Sequence, residues 1–163
     1  MKLLVPHDIG VRLITALREA DRREIGGILM GEHVSTNTFR VSDLTIQMKG
    51  GTFAAFLRLV EELIAPLREF FHRTRSDYTR FNYLGEWHSH HSFRLEPSEC
   101  DRRTMIDMAT DSDLGARFVT LLLVRLGVSS SLKCAVTVYT SDGFVREGEV
   151  LFETPVQSDL AHP

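Results

Sequence analysis

The sequence predicts a mixed α/β or α+β domain, a central sheet flanked by helices, and three observations carry that prediction. Six runs of strand length are apolar or alternate apolar with polar residues, and three other segments repeat their apolar residues at helical spacing. The order along the chain is helix, two strands, helix, strand, helix, three strands. Finally, 163 residues with 43% hydrophobic composition suffice for one core but not for two comfortable ones. One domain over residues 1–153 is expected, followed by a loose tail over 154–163 that carries prolines and little periodicity.

Residues 6–20 place Ile9, Leu13, Ile14 and Leu17 at helical spacing, with Asp8 as a candidate N-cap. Residues 25–30 are short, apolar and glycine-bearing, which suits a buried strand, and 39–46 alternate as its partner would. Ser35, Thr36 and Asn37 between them read as a hairpin turn. After Gly50 and Gly51, a helical period starts at Phe53 and continues to about Arg75, and Pro66 is expected to kink or divide it. Residues 82–89 read as a strand and 98–109 as a helix. Residues 118–125, 134–140 and 145–152 read as three further strands, with Asp142-Gly143 as the turn between the last two.

Bulk properties exclude several classes. A net charge of −3 and a pI near 6.2 provide no global basic field to recruit nucleic acid or an anionic membrane. Cys100 and Cys134 are too few for a disulfide scaffold, so a reducing compartment fits. The first residues lack a signal-peptide apolar region, and the longest apolar stretch, 118–124, falls far short of the roughly 20 residues of a spanning helix. A cytoplasmic protein is expected.

The chemistry concentrates in residues 85–101. On a strand, His88 and His90 stand two apart and project from one face, so both imidazoles can converge on one ion. Catalytic zinc usually takes three protein ligands and leaves a fourth position for water, so a nearby carboxylate is wanted. Asp101 is the candidate, because Pro97-Ser98 signals a helix start and a first-turn side chain can point back toward the strand end. An ion so held would lower the pKa of its water from about 16 toward about 7. A proton acceptor outside the ligand set is then required. Glu24, immediately before the glycine-bearing run that starts at Ile25, is the preferred candidate; Glu86 competes because it shares the strand face of the two histidines.

The run His88-Ser89-His90, seven intervening residues, then Ser98-Glu99-Cys100-Asp101, with Glu24 upstream, resembles the JAMM (MPN-plus) motif. Residues 23–31 and 81–90 resemble short bacterial JAB-domain proteins in particular, and the likeness extends over about residues 1–152. The resemblance implies the cytidine-deaminase-like JAMM/MPN architecture, a curved, mainly antiparallel sheet flanked by helices, with one catalytic Zn2+ ion. By position it makes His88, His90 and Asp101 the metal ligands, Glu24 the general base and Ser98 the residue that helps stabilise the oxyanion. The implied reaction is zinc-dependent cleavage of a peptide or isopeptide bond at the C-terminus of a ubiquitin-like modifier protein. The implied partners are that modifier, its conjugates, and activating or conjugating enzymes encoded beside it in antiphage operons of the Bil or CBASS type. His91 stands where family members commonly carry proline, and strand alternation turns it away from the ligand face.

Plainer readings stand beside these. A His-Ser-His triplet alone is an ordinary polar strand end, and Ser98-x-x-Asp101 alone is a helix capping box. Cys100 lies about 100° around the helix from Asp101, Trp87 alternates away into the core, and Cys134 reads as a small buried filler. Arg68, His72, Arg73, Arg75 and Arg80 read as a solvated face. Two other functions fit the resemblance: an MPN scaffold without chemistry, and a zinc peptidase that processes a small sulfur-carrier-type protein.

Overall fold

In the computed structural model, residues 1–48, 60–90, 94–113 and 115–154 are described. The expectations for residues 53–59, for His91 and for the tail beyond Thr154 lie outside that set. The element order is β1 (Lys2–Val5), α1 (His7–Ala20), β2 (Gly26–Ser35), β3 (Thr38–Leu44), α2 (Val60–Arg73), β4 (Phe81–Ser89), α3 (Glu99–Thr110), β5 (Phe118–Leu126), a short 3-10 turn (Val128–Ser130), β6 (Leu132–Thr140) and β7 (Val145–Phe152). Every expected element is present. Helix α2 is not divided at Pro66. The β2–β3 hairpin turns at Thr36 and Asn37, where Asn37 takes a positive φ of 57°.

The strands are ordered β1-β3-β2-β4-β5-β6-β7 and close into a barrel. Pairing is antiparallel at β2–β3, β2–β4, β5–β6 and β6–β7, and parallel at β4–β5, β1–β3 and β1–β7. The sheet is thus curved and mainly antiparallel, as the resemblance implies, and β1 carries the curvature through to closure. Sequence reading does not register β1. Its four residues are too short to show a period, and it pairs with β3 and β7, both distant along the chain.

Alternate residues of the central strands feed two separate cores. Leu122 and Val124 of β5, with Leu84 and Trp87 of β4, pack with Leu3, Val5 and the apolar stripe Ile9, Leu13, Leu17 of α1. On the opposite face Leu121 and Leu123 pack with Met105 and Ala109 of α3 and with Tyr139 of β6. Phe70 of α2 joins Ile28 and Met30 of β2. A bulge interrupts β4: Leu29 pairs with Gly85 but Met30 pairs with Tyr83, so Leu84 is an extra residue. Glycine is required beside it, since Gly85 has φ 141° and a Cβ there would fall 2.0 Å from the Thr120 carbonyl oxygen. The bulge shifts the alternation, so that Tyr83 and Glu86 meet on one face while Leu84 and Trp87 share the other.

Candidate metal centre

His88 is the penultimate residue of β4 and His90 follows the strand's last residue, Ser89. The strand end is clamped on both flanks. The Ser89 amide donates to the Ile25 carbonyl at 2.8 Å, the Ile25 amide to Ser89 Oγ at 3.0 Å, and the His90 amide to the Val124 carbonyl of β5 at 2.9 Å. Trp87 anchors the strand from below by donating its indole N–H to the Thr45 carbonyl at 2.8 Å. Gly26 pairs with His88, and a Cβ on it would meet the Trp87 oxygen at 2.6 Å and His88 Cβ at 3.1 Å. Absence of a side chain at Gly26 is therefore what lets β2 approach the backbone of β4 this closely at its ligand end.

Asp101 arrives from α3. Ser98 is the N-cap of that helix and forms a complete capping box with Asp101. The Asp101 amide donates to Ser98 Oγ at 3.2 Å, and Asp101 Oδ2 accepts from Ser98 N–H at 2.8 Å and from Ser98 O–H at 2.6 Å. The capping-box reading and the ligand reading of Asp101 are compatible, because the cap orients the carboxylate that faces the histidines.

Three donors meet here. His88 Nε2 lies 3.1 Å from His90 Nε2 and 3.7 Å from Asp101 Oδ2. All three ligating atoms lie within 4.8 Å of one another, the one such trio among the described residues. His90 Nδ1 is 3.0 Å from the Arg94 carbonyl, which can only accept; that nitrogen therefore carries the proton and Nε2 presents a lone pair. Burial pushes the His88 imidazole down to about 4, outweighing the attraction of the Asp101 carboxylate, so the ring is neutral at pH 7. Two nitrogens turned toward one another at this distance call for a cation or a shared proton between them. Tetrahedral zinc with bonds of about 2.0–2.1 Å would set two imidazole nitrogens about 3.3–3.4 Å apart. The donor set, two imidazoles and a carboxylate, fits such an ion.

The two glutamates occupy different environments. Glu86 shares the face of the trio but is 3% exposed; burial pushes its carboxyl up to about 8, Tyr83 Oη is its hydrogen-bond partner at 3.5 Å, and Oε2 has none. Glu24 is exposed and stands two residues before Gly26, which pairs with His88. Neither joins the trio. Of the residues set aside, Cys100 is exposed on α3, Trp87 is in the core, and Cys134 is half-buried against that core, its thiol pushed up to about 12 by burial. Arg73 and Arg80 are exposed and pair with Asp43 and Glu32. The Arg94 carbonyl, which holds the His90 ring in place, carries no sequence signal, since any residue offers a carbonyl.

Comparison with known proteins gives the family. The profile described as prokaryotic homologs of the JAB domain matches residues 7–142. The chain belongs to that family. The solution structure of a protein from Desulfitobacterium hafniense superimposes with a TM-score of 0.61 at 17% identity, covering 99% of each chain. The crystal structure of a JAB1/MPN domain protein from Archaeoglobus fulgidus gives a TM-score of 0.46 at 14% identity, covering 92% of this chain and 98% of that one. No curated protein matches the chain. Among the described residues, no helix is long and apolar enough to cross a membrane.

Proposed function

We propose that this protein is a zinc-dependent isopeptidase or peptidase that cleaves at the C-terminus of a ubiquitin-like modifier. The observation that carries the reading is the convergence of His88, His90 and Asp101, two imidazole nitrogens and a carboxylate directed at one point. A zinc ion on these three donors would supply an acidified water, its pKa lowered toward about 7, and a Lewis-acid contact for the scissile carbonyl. Glu24 accepts the proton of the attacking water and passes it to the leaving amine as the C–N bond breaks and the C–O bond forms. Its exposure suits a group that must meet both water and substrate, whereas Glu86 is buried. Asp101 stays oriented by the Ser98 N–H, and the Ser98 hydroxyl turns to the carbonyl oxygen as charge develops on it.

The modifier and its setting, a bacterial antiphage conjugation system, are supported by the likeness of residues 23–31 and 81–90 to short bacterial JAB-domain proteins, which are often associated with such operons. The test is cleavage of C-terminal fusions of candidate ubiquitin-like proteins, with and without chelator, by the wild type and Glu24→Gln. We expect chelator-sensitive cleavage, and a variant that keeps stoichiometric zinc yet loses nearly all turnover. Full activity in Glu24→Gln would move the base to Glu86. A zinc-loaded protein that cleaves none of the panel, sulfur-carrier fusions included, would leave a scaffold.

A further inference from the structure

The ligand face continues one strand beyond β4. Strand β5 runs parallel to β4 with His88 level with Leu123 and Ser89 with Val124, and the His90 amide reaches the Val124 carbonyl. The next residue of β5, Arg125, is therefore level with His90 and on its side of the sheet, about 4.8 Å away at the usual strand spacing. Arg125 is half-buried, and its Nε is shut off from solvent without a hydrogen-bond partner among the described residues. Its cross-strand neighbour on β6 is a second cation, Lys133, whose stem lies along Gly127.

No carboxylate compensates this pair among the described residues. Residues 91–93, His-Ser-Phe, contain no acid, and Glu96 pairs with Arg94. Another half-buried arginine on a strand, Arg40 of β3, is held by Glu153 and Glu32. Like charges opposite one another on a sheet destabilise it, and a desolvated donor without an acceptor adds to the cost. Both penalties disappear if an anion occupies the position. A guanidinium fork matches one planar carboxylate, which can accept two parallel hydrogen bonds from it.

We infer that Arg125, backed by Lys133, forms an anion subsite beside the metal centre that takes an acidic side chain of the substrate polypeptide. The inference rests on the hydrolase reading above and adds to it the charge of the residue next to the cleaved bond. It is tested by calorimetry on the zinc-supplied protein with two acetylated, amidated decapeptides, one carrying a central Asp-Glu in a Gly-Ser background and the other Asn-Gln. The wild type binds the acidic peptide about 10-fold more tightly than its twin, Arg125→Gln reduces that preference below about 2-fold, and Arg125→Lys keeps part of it. Zinc content and melting temperature of the variants report that the fold is intact. A wild type that binds both peptides alike, or an Arg125→Gln variant that keeps the preference, overturns the subsite. Preference without cleavage of any modifier fusion upholds the subsite and refutes the hydrolase reading; cleavage without preference does the reverse.

Discussion

Replacing Ser98 with alanine separates the two tasks that one hydroxyl combines. Ser98 Oγ accepts from the Asp101 amide at 3.2 Å, which is the cap of α3, and donates to Asp101 Oδ2 at 2.6 Å. Loss of an N-cap side chain costs about 1 kcal/mol, which for a chain of this length lowers the melting temperature by about 2–4 °C. The Ser98 backbone N–H still holds Asp101 Oδ2 at 2.8 Å, so zinc is retained. If the hydroxyl also stabilises the oxyanion, kcat falls by about 100-fold or more, far beyond what a small loss of stability produces. Threonine at the same position keeps both the cap and the hydroxyl and restores both readouts. The assay pairs a thermal melt with steady-state cleavage of a modifier fusion at saturating zinc. A variant that melts lower yet turns over within about 5-fold of the wild type would show the serine to be a cap alone, since the expected loss is about 100-fold.

Three further outcomes follow from the geometry. Alanine at His88 or at His90 removes one of three donors, so each variant purifies without stoichiometric zinc and its melting temperature no longer responds to chelator; full zinc in both would exclude the site. Asp43 is clamped by Arg12 of α1 and Arg73 of α2; burial raises its carboxyl, but these hydrogen bonds outweigh it and hold the carboxyl below the usual range. A depressed pKa contributes stability that is present above the unfolded value of about 3.9 and is lost as pH falls through the folded one, so the melting-temperature gap between wild type and Asp43→Asn should narrow from pH 6 to pH 3. A gap constant over that range would contradict the clamp. Gly26→Ala forces β2 away from β4 at the ligand end, because its Cβ would meet the Trp87 oxygen at 2.6 Å; a loss of about 1–3 kcal/mol in denaturant unfolding, together with weaker zinc retention, is expected. Unchanged zinc affinity would dissociate that contact from the site.

Much of the centre was legible because its parts are local. Two residues apart on a strand means one face, and this rule brings His88 and His90 together once residues 81–89 are recognised as extended. Three residues apart at a helix start means a capping box, and this orients Asp101 through Ser98. The choice between Glu24 and Glu86 was not legible in the same way. Both sit near the histidines in sequence or pairing, and their surroundings differ: Glu86 is buried beside Tyr83, while Glu24 stays at the surface.

The sequence alone determined the element types, the shared face of the two imidazoles, the serine-capped aspartate and the family likeness, since each depends on spacings of a few residues. Tertiary structure decided the rest. Strand β1 closes the barrel through partners more than thirty residues away, and the bulge at Leu84 sets which side chains of β4 share a face. The 3.7 Å approach of Asp101 to His88 depends on packing α3 against β5 and β6, and Arg125 meets Lys133 only through the β5–β6 register. Periodicity is a property of the chain's own dihedrals, whereas register and burial belong to pairs of segments that no local pattern connects.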